Sequence, residues 1–346
     1  FTWTGDSGDW NVDNNWDRKS VPGASGGPFS AEKTVTFSDS ISGPATVFTN
    51  QHVTVNSVTF NNSTNSYTVA GLGSVSLISD TGTPAANPSI SVTGTHEFQT
   101  TVSLLNSAVA DVASGSTLKF NNALNLNGNT LTKTGDGTLN INNVLNASGG
   151  SVVGLGGTVS LQQGTIAGNG TIEGDVDNDG GTISPGNSPG ILSVSGNYTQ
   201  GAGGTLEIEI MGTNPGEGGH DQLNVVGSAS LDGTLDIQTD AGFTPAVGAT
   251  PGMIGDKFVI ITANSVSGEF STVNGRHTGG GKFYDVGYNG GDVTLGAFQA
   301  LGGDADGNRT VDITDFNALA GSFGNTGVDW TDADFDANDV VDITDF

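Results

Sequence analysis

Between about residues 35 and 298 one short unit keeps returning: a glycine, then threonine or serine, then an aliphatic residue, then polar and apolar residues in alternation. It reads Gly137-Thr138-Leu139-Asn140-Ile141, Gly157-Thr158-Val159-Ser160-Leu161, Gly181-Thr182-Ile183, Gly204-Thr205-Leu206-Glu207-Ile208 and Gly233-Thr234-Leu235-Asp236-Ile237, with successive glycines 20, 24, 23 and 29 residues apart. Alternation marks a strand with one buried face, glycine turns the corners, and a spacing of about 20 to 50 residues marks a stacked repeat. The fold class expected is therefore all-β, a right-handed parallel β-helix (β-solenoid) in which each coil pairs with the last at about 4.8 Å. Some 260 residues at about 22 per coil give a rod roughly 55 Å long.

Only 34% of the residues are hydrophobic, too few for a large round core but enough for a thin internal stack. A disordered chain would share the polar bias and the 56 glycines, but not the regular alternation. Leu118, Leu124, Leu126, Leu131, Leu139, Ile141, Val159, Leu161, Ile166, Ile172 and Ile183 are the expected inward residues, each destabilising when cut to alanine. Asn125, Asn127, Asn140 and Asn142 either stack as corner ladders or occupy solvated turns.

The opening stretch, FTWTGDSGDWNVDNNWD, holds Trp3, Trp10 and Trp16, three of the four tryptophans. A solenoid exposes a core cross-section and unpaired strand edges at each end, so residues 1–34 read as an N-terminal Trp-rich cap, with a carbohydrate-binding aromatic platform as the alternative. No apolar run approaches the roughly 18 to 20 residues of a membrane span, and no basic-then-apolar leader opens the sequence. A start at Phe1, directly in this motif, leads to the expectation of an extracellular or cell-surface protein after removal of an export signal. With no cysteine there is neither a disulfide framework nor a thiolate metal site.

The stretch NTLTKTGDGTL from Asn129 to Leu139 resembles the strand repeat of autotransporter passengers. So do TIAGNGTIEGDVDNDGGTISPGNSPG, ending at Gly190, GNYTQGAGGTLEIEI from Gly196, DQLNVVGSASLDGTLDIQ from Asp221 and FVIITANSVSGEFSTV from Phe258. These blocks cover about half the chain. The resemblance implies the passenger-type β-helix and no particular activity, since such rods serve adhesins, toxins and proteases. The 48 residues after Phe298 are too few for an outer-membrane translocator barrel, so a complete autotransporter is not expected.

Beyond the rod the sequence turns acidic and repeats itself. Asp304 to Asp315 reads DADGNRTVDITD and Asp334 to Asp345 reads DFDANDVVDITD, thirty residues apart. Oxygen ligands recur at loop positions 1, 3, 5, 9 and 12: Asp304, Asp306, Asn308, Asp312 and Asp315 in the first copy, Asp334, Asp336, Asn338, Asp342 and Asp345 in the second. The carbonyls of Thr310 and Val340 fall at position 7. Ca²⁺ takes six to eight hard oxygens on a flexible loop, and this spacing lets one turn wrap an ion. A solvated acidic tail is the plainer reading, but it does not explain two copies in register. Ile313, Phe316, Leu319, Ala320 and Phe323 fall at helical spacing before Gly324. The tandem of loop and helix, with Asp at position 12, resembles a type I dockerin, an EF-hand-type calcium module. Residues 299–346 are therefore expected to form a small dockerin-like module whose second repeat is incomplete. Position 6, ordinarily glycine, is Arg309 in one loop and Asp339 in the other, so the first loop is expected to bend differently, using Gly307.

Nine Lys and Arg against 36 Asp and Glu leave a formal net charge of −27, which opposes nucleic acid and anionic lipid and favours divalent cations. A polysaccharide-active β-helix enzyme would need paired carboxylates on neighbouring coils. The candidates are Glu173, Asp175, Asp177 and Asp179, then Glu207, Glu209, Asp232 and Asp236. Lys119, Lys133, Lys257, Arg276 and Lys282 lie far from them in sequence, and His52, His96, His220 and His277 lack metal-ligand spacing. The expectation is a non-enzymatic, calcium-dependent structural protein that assembles head to tail into a surface fibre or matrix filament. Copies of itself are the expected partners. A monomeric adhesin, anchored through the module to a cohesin-like protein or binding a surface glycan, is the alternative.

Overall fold

The computed structural model describes residues 1–23, 33–79, 86–142 and 158–345, so Gly157 of the second repeat unit and Phe346 lie outside the described residues. The chain is all-β, with long parallel sheets that form a solenoid of three-strand coils. One coil runs through Asp175–Asn178, Thr182–Pro185 and Ile191–Val194. A ten-stranded sheet from Thr34–Phe37 to Ser265–Gly268 makes one side, and an eleven-stranded sheet ending at Thr272–Asn274 makes the next. The third side comprises a four-stranded and a seven-stranded sheet. Ten coils at about 4.8 Å give a rod of roughly 50 Å. Among the described residues no helix is long and apolar enough to cross a membrane.

Thr95, Thr117, Thr138, Thr165, Thr182, Thr205, Thr234 and Thr272 pair in unbroken succession down the eleven-stranded sheet. Each is followed by an inward residue, as in Thr117–Phe120 and Thr138–Ile141. The units that begin at Gly137, Gly181, Gly204 and Gly233 belong to this ladder, whereas Thr158 lies on the ten-stranded sheet between Thr130 and Asp175. The slot it was expected to fill is taken by Thr165. A Gly-Thr-aliphatic triplet marks a strand after a corner, and every coil has three corners.

Of the expected inward residues, Leu118, Leu126, Leu131, Leu139, Ile141, Val159, Leu161, Ile166, Ile172 and Ile183 are buried. Leu124 is half-buried against them, on a strand of only two residues. The expected asparagine ladder is partial: Asn142 donates to Asn121 Oδ1 at 2.8 Å, but Asn125 reaches Ser103 and Asn127 the Leu104 carbonyl. Lys133 is fully buried, in register between Ala110 and Leu161, and its Nζ donates to the carbonyls of Thr134, Gly135 and Gln163 at 2.7, 2.7 and 3.3 Å. Asn178 and Gln200 continue that inward column and likewise bond corner backbone, Asn178 at Thr205 and Gln200 at Asp232.

The tryptophans are not surface aromatics. Trp3, Trp10 and Trp16 are fully buried and meet edge to face at 5.0 and 5.1 Å. Each indole N–H is satisfied, by the carbonyls of Asp6, Pro22 and Trp10 respectively. Their rings rest on Phe37, which stacks on Phe60 of the next coil. Burial on this scale leaves no platform for a sugar and no aromatic surface for a neighbouring rod.

The far end departs from the all-parallel expectation. Ile254–Thr262 pairs in parallel with Gln222–Val225 but antiparallel with Asp292–Gln299. That strand pairs antiparallel with Lys282–Tyr288, which pairs with His277–Gly279. Glycine-rich turns permit the reversals: Gly279, Gly280 and Gly281 all take positive φ, and Asn289-Gly290-Gly291 closes the hairpin of Lys282–Tyr288 and Asp292–Gln299. This closing hairpin carries the C-terminal module.

Candidate metal centre

Two loops repeat one hydrogen-bond scheme thirty residues apart. Asp304 accepts from the backbone N–H of Asn308 and of Arg309, both at 3.0 Å; Asp334 accepts from Asn338 at 3.1 Å and Asp339 at 2.9 Å. Asp306 and Asp336 each accept from the side chain of the asparagine two residues on at 2.9 Å. Asn308 and Asn338 accept from the N–H of Thr310 and Val340. Asp315 bridges Ala305 N and Asp312 N, both at 2.8 Å, and Asp345 bridges Phe335 N at 2.7 Å and Asp342 N at 2.9 Å.

These contacts bring Asp304, Asp306 and Asp315 together, and separately Asp334, Asp336 and Asp345, each triad with one ligand oxygen per residue within 4.8 Å of the others. Each triad can hold a metal ion. Asp304, Asp315, Asp334 and Asp345 are buried, while Asp306 and Asp336 are exposed. Burial raises the pKa of Asp304 most, and the neighbouring carboxylates of Asp315 and Asp306 add to the rise against the two N–H bonds. A cation beside these groups would offset that repulsion. The donors are all hard oxygens, which suits a hard divalent cation rather than a thiolate- or imidazole-seeking one.

Asp312 and Asp342 stand apart from the triads. Asp312 caps the helix Ile313–Ser322 by accepting from Thr314 N at 2.7 Å, in a reciprocal capping box with Asp315. Asp342 accepts from Thr344 N at 2.7 Å in the same way. Thr310 and Val340 differ in that Val340 forms an isolated bridge with Thr326. The helix forms where its spacing places it, but only Leu319 of its expected apolar positions is buried; Ala320 is exposed and Ile313 is 68% exposed.

The two loops bend alike. Gly307 and Ala337 have φ of 65° and 57°, and Arg309 and Asp339 have φ of 70° and 72°. The first loop therefore does not avoid the left-handed turn at Arg309, contrary to expectation. The guanidinium instead lies 4.5 Å above the Phe298 ring and 3.2 Å from the Asp285 carboxylate. Both partners lie on the closing hairpin, and no local signal in the loop announces them.

The acidic residues of the rod are spread over its outer faces. Asp175 accepts from Asn197 N at 2.7 Å, and burial with neighbouring Asp179 and Asp175 raises the pKa of Asp177. Glu207 lies directly opposite Asp236 on the next coil and accepts from Ser184 at 2.9 Å. His220 and Asp221 are both buried, and Asp221 binds the N–H groups of Gly190 and Glu209 at 2.7 and 2.9 Å. His96 stacks on Phe60 with its Nδ1 accepting from Tyr67 N at 3.0 Å, a core role. A scan against protein-family models finds no match to this chain, and neither does a search of curated proteins.

Proposed function

We propose that this chain is an extracellular structural rod, a right-handed parallel β-helix whose dockerin-like C-terminal module binds Ca²⁺ and joins copies of the chain end to end into a filament. The observation that carries the reading is the residue-for-residue repetition of one carboxylate scheme in two loops at a single end of the rod. Asp304, Asp306, Asn308, Asp315 and their counterparts Asp334, Asp336, Asn338, Asp345 supply side-chain oxygens. Thr310 and Val340 supply carbonyls, and Asp312 and Asp342 sit at the position that often binds through water.

Support for assembly comes from the module's surface. Val311, Ile313 and Ile343 are 54%, 68% and 73% exposed, an apolar grouping at one end of a chain that is otherwise polar outside. Since the tryptophans are buried, this end and not the Trp cap supplies the apolar side of the contact. A head-to-tail contact does not close on itself and so propagates, and bound calcium reduces the repulsion between copies of net charge −27. Light scattering and electron microscopy of the purified chain in calcium and in chelator test the reading. Calcium-dependent filaments are the expected result. Monomers at high concentration in calcium would leave the second reading, an adhesin docked through the same exposed apolar residues on a cohesin-like protein or bound to a surface glycan. Calcium-dependent cleavage of any polysaccharide in a panel would overturn both.

A further inference from the structure

Loop position 6 is where a sharp turn asks for glycine, and Arg309 adopts the left-handed backbone there at a cost. Its side chain shows a use for that cost. It reaches Phe298 and Asp285 on the closing hairpin, and its Nε and Nη2 are buried without a hydrogen-bond partner among the described residues, as expected of a guanidinium pressed on a ring. The neighbouring Gly307 sits so close to the Phe283 ring that any Cβ would collide with it, and its carbonyl accepts from Arg276 Nη2 at 3.0 Å. Trp330 completes the seam. Its indole donates to the Asp304 carbonyl at 2.8 Å, while its ring packs on Gly281 in the turn that enters the hairpin and on the cluster of Phe283, Phe298 and Ala300. His277 lies 3.6 Å from Asp329 on the same seam.

Asp304 therefore belongs to both structures at once. Its carboxylate holds the N–H of Arg309 within the acidic triad, and its carbonyl holds Trp330 against the rod. The corresponding residues of the second loop, Ala337 and Asp339, are exposed. We propose that the first loop is a clasp: a divalent cation held by Asp304, Asp306 and Asp315 locks the closing hairpin onto the last coil through Arg309, Gly307 and Trp330, and the second loop has no such effect. This rests on the calcium reading above. With the cation gone, three carboxylates within 4.8 Å repel one another, and the loop can no longer present Arg309 and Gly307 to the hairpin. Coupling of this kind is reciprocal, so the hairpin contact must also tighten cation binding in the first loop by the same factor.

Hydrogen–deuterium exchange on the full chain, with calcium chloride against chelator, tests the clasp. Calcium is expected to slow exchange by about tenfold or more both in residues 304–345 and in residues 282–299, with one midpoint concentration for the first loop and the hairpin. In Arg309→Gly, whose backbone still suits the turn, the loop is expected to keep its response while the hairpin loses its own. Asp285→Asn, which leaves both loops intact, is expected to raise the calcium midpoint of residues 304–315 by about threefold or more and to leave residues 334–345 unchanged. Asp345→Asn is expected to abolish the response of the second loop only. A hairpin indifferent to calcium while the loops respond overturns the clasp and leaves the calcium reading standing. Indifference of both overturns both. A hairpin response undiminished in Arg309→Gly and Asp285→Asn alike also overturns it.

Discussion

At the scale of single residues, the structure separates aspartates that the sequence pattern treats alike. Asp315 holds three backbone N–H groups and belongs to a triad, while Asp312 caps a helix. Calcium titration should therefore find Asp315→Asn far weaker in the first loop, and Asp312→Ala only modestly weaker, with about 1 kcal/mol of cap stability lost whether or not calcium is present. Two buried groups give opposite pH signatures. Burial lowers Lys133 to about 8 despite the nearby carboxylates of Asp111 and Asp136. Its folded pKa is thus below the unfolded 10.5, so its contribution is present above 10.5 and lost as pH falls through about 8. Denaturant melts should show stability rising across that window, and Lys133→Met should remove the rise. Burial raises Asp221 to about 7 against the bonds from Glu209 and Gly190, so its contribution is present below 3.8 and lost as pH rises through about 7. Asp221→Asn should flatten that part of the curve. The triads were legible because ligand spacing is local. Lys133 was half legible: it shares parity with Leu131, which places it inward, but a charge inside contradicts the polarity rule, and only the corner carbonyls that receive it resolve the conflict.

At the scale of elements, close stacking of coils makes certain glycines irreplaceable. Gly94 has φ of 99°, and a Cβ there would strike the Asn62 carbonyl of the preceding coil. Gly94→Ala should lower stability by about 1–3 kcal/mol in thermal or denaturant melts. Leu139→Ala, which empties one place in a continuous inward column between Leu118 and Ile166, should cost about 2–5 kcal/mol by the same measurement. Parallel strands and inward residues could be read from alternation because strand parity is a property of the sequence. Assignment to one of three sides could not, because coils differ in length, and Thr158 went to the wrong side for that reason. The antiparallel ending escaped too, although Asn289-Gly290-Gly291 is a hairpin signal, since the alternation on either side of it looks the same for both strand directions.

At the scale of the whole molecule, the two ends are closed by different means, buried tryptophans at one and a docked module at the other. Chelation should therefore loosen residues 302–345 first and leave the rod's far-ultraviolet signal in place. In calcium at about 100 times its dissociation constant, each site should add about 2.7 kcal/mol to the module. A thermal melt indifferent to chelator would refute this. The unbroken threonine ladder has a mechanical meaning as well. Bonds between coils point along the rod, so tension on the two ends does not load all of them in parallel; it peels the outermost coil and then the next. Successive rungs are separated by as few as 17 residues, from Thr165 to Thr182, and as many as 38, from Thr234 to Thr272. Each coil that lets go would thus release roughly 60 to 130 Å of slack. A fibre of such rods would yield in unequal steps under load, lengthening and dissipating work where a stiffer cable would snap.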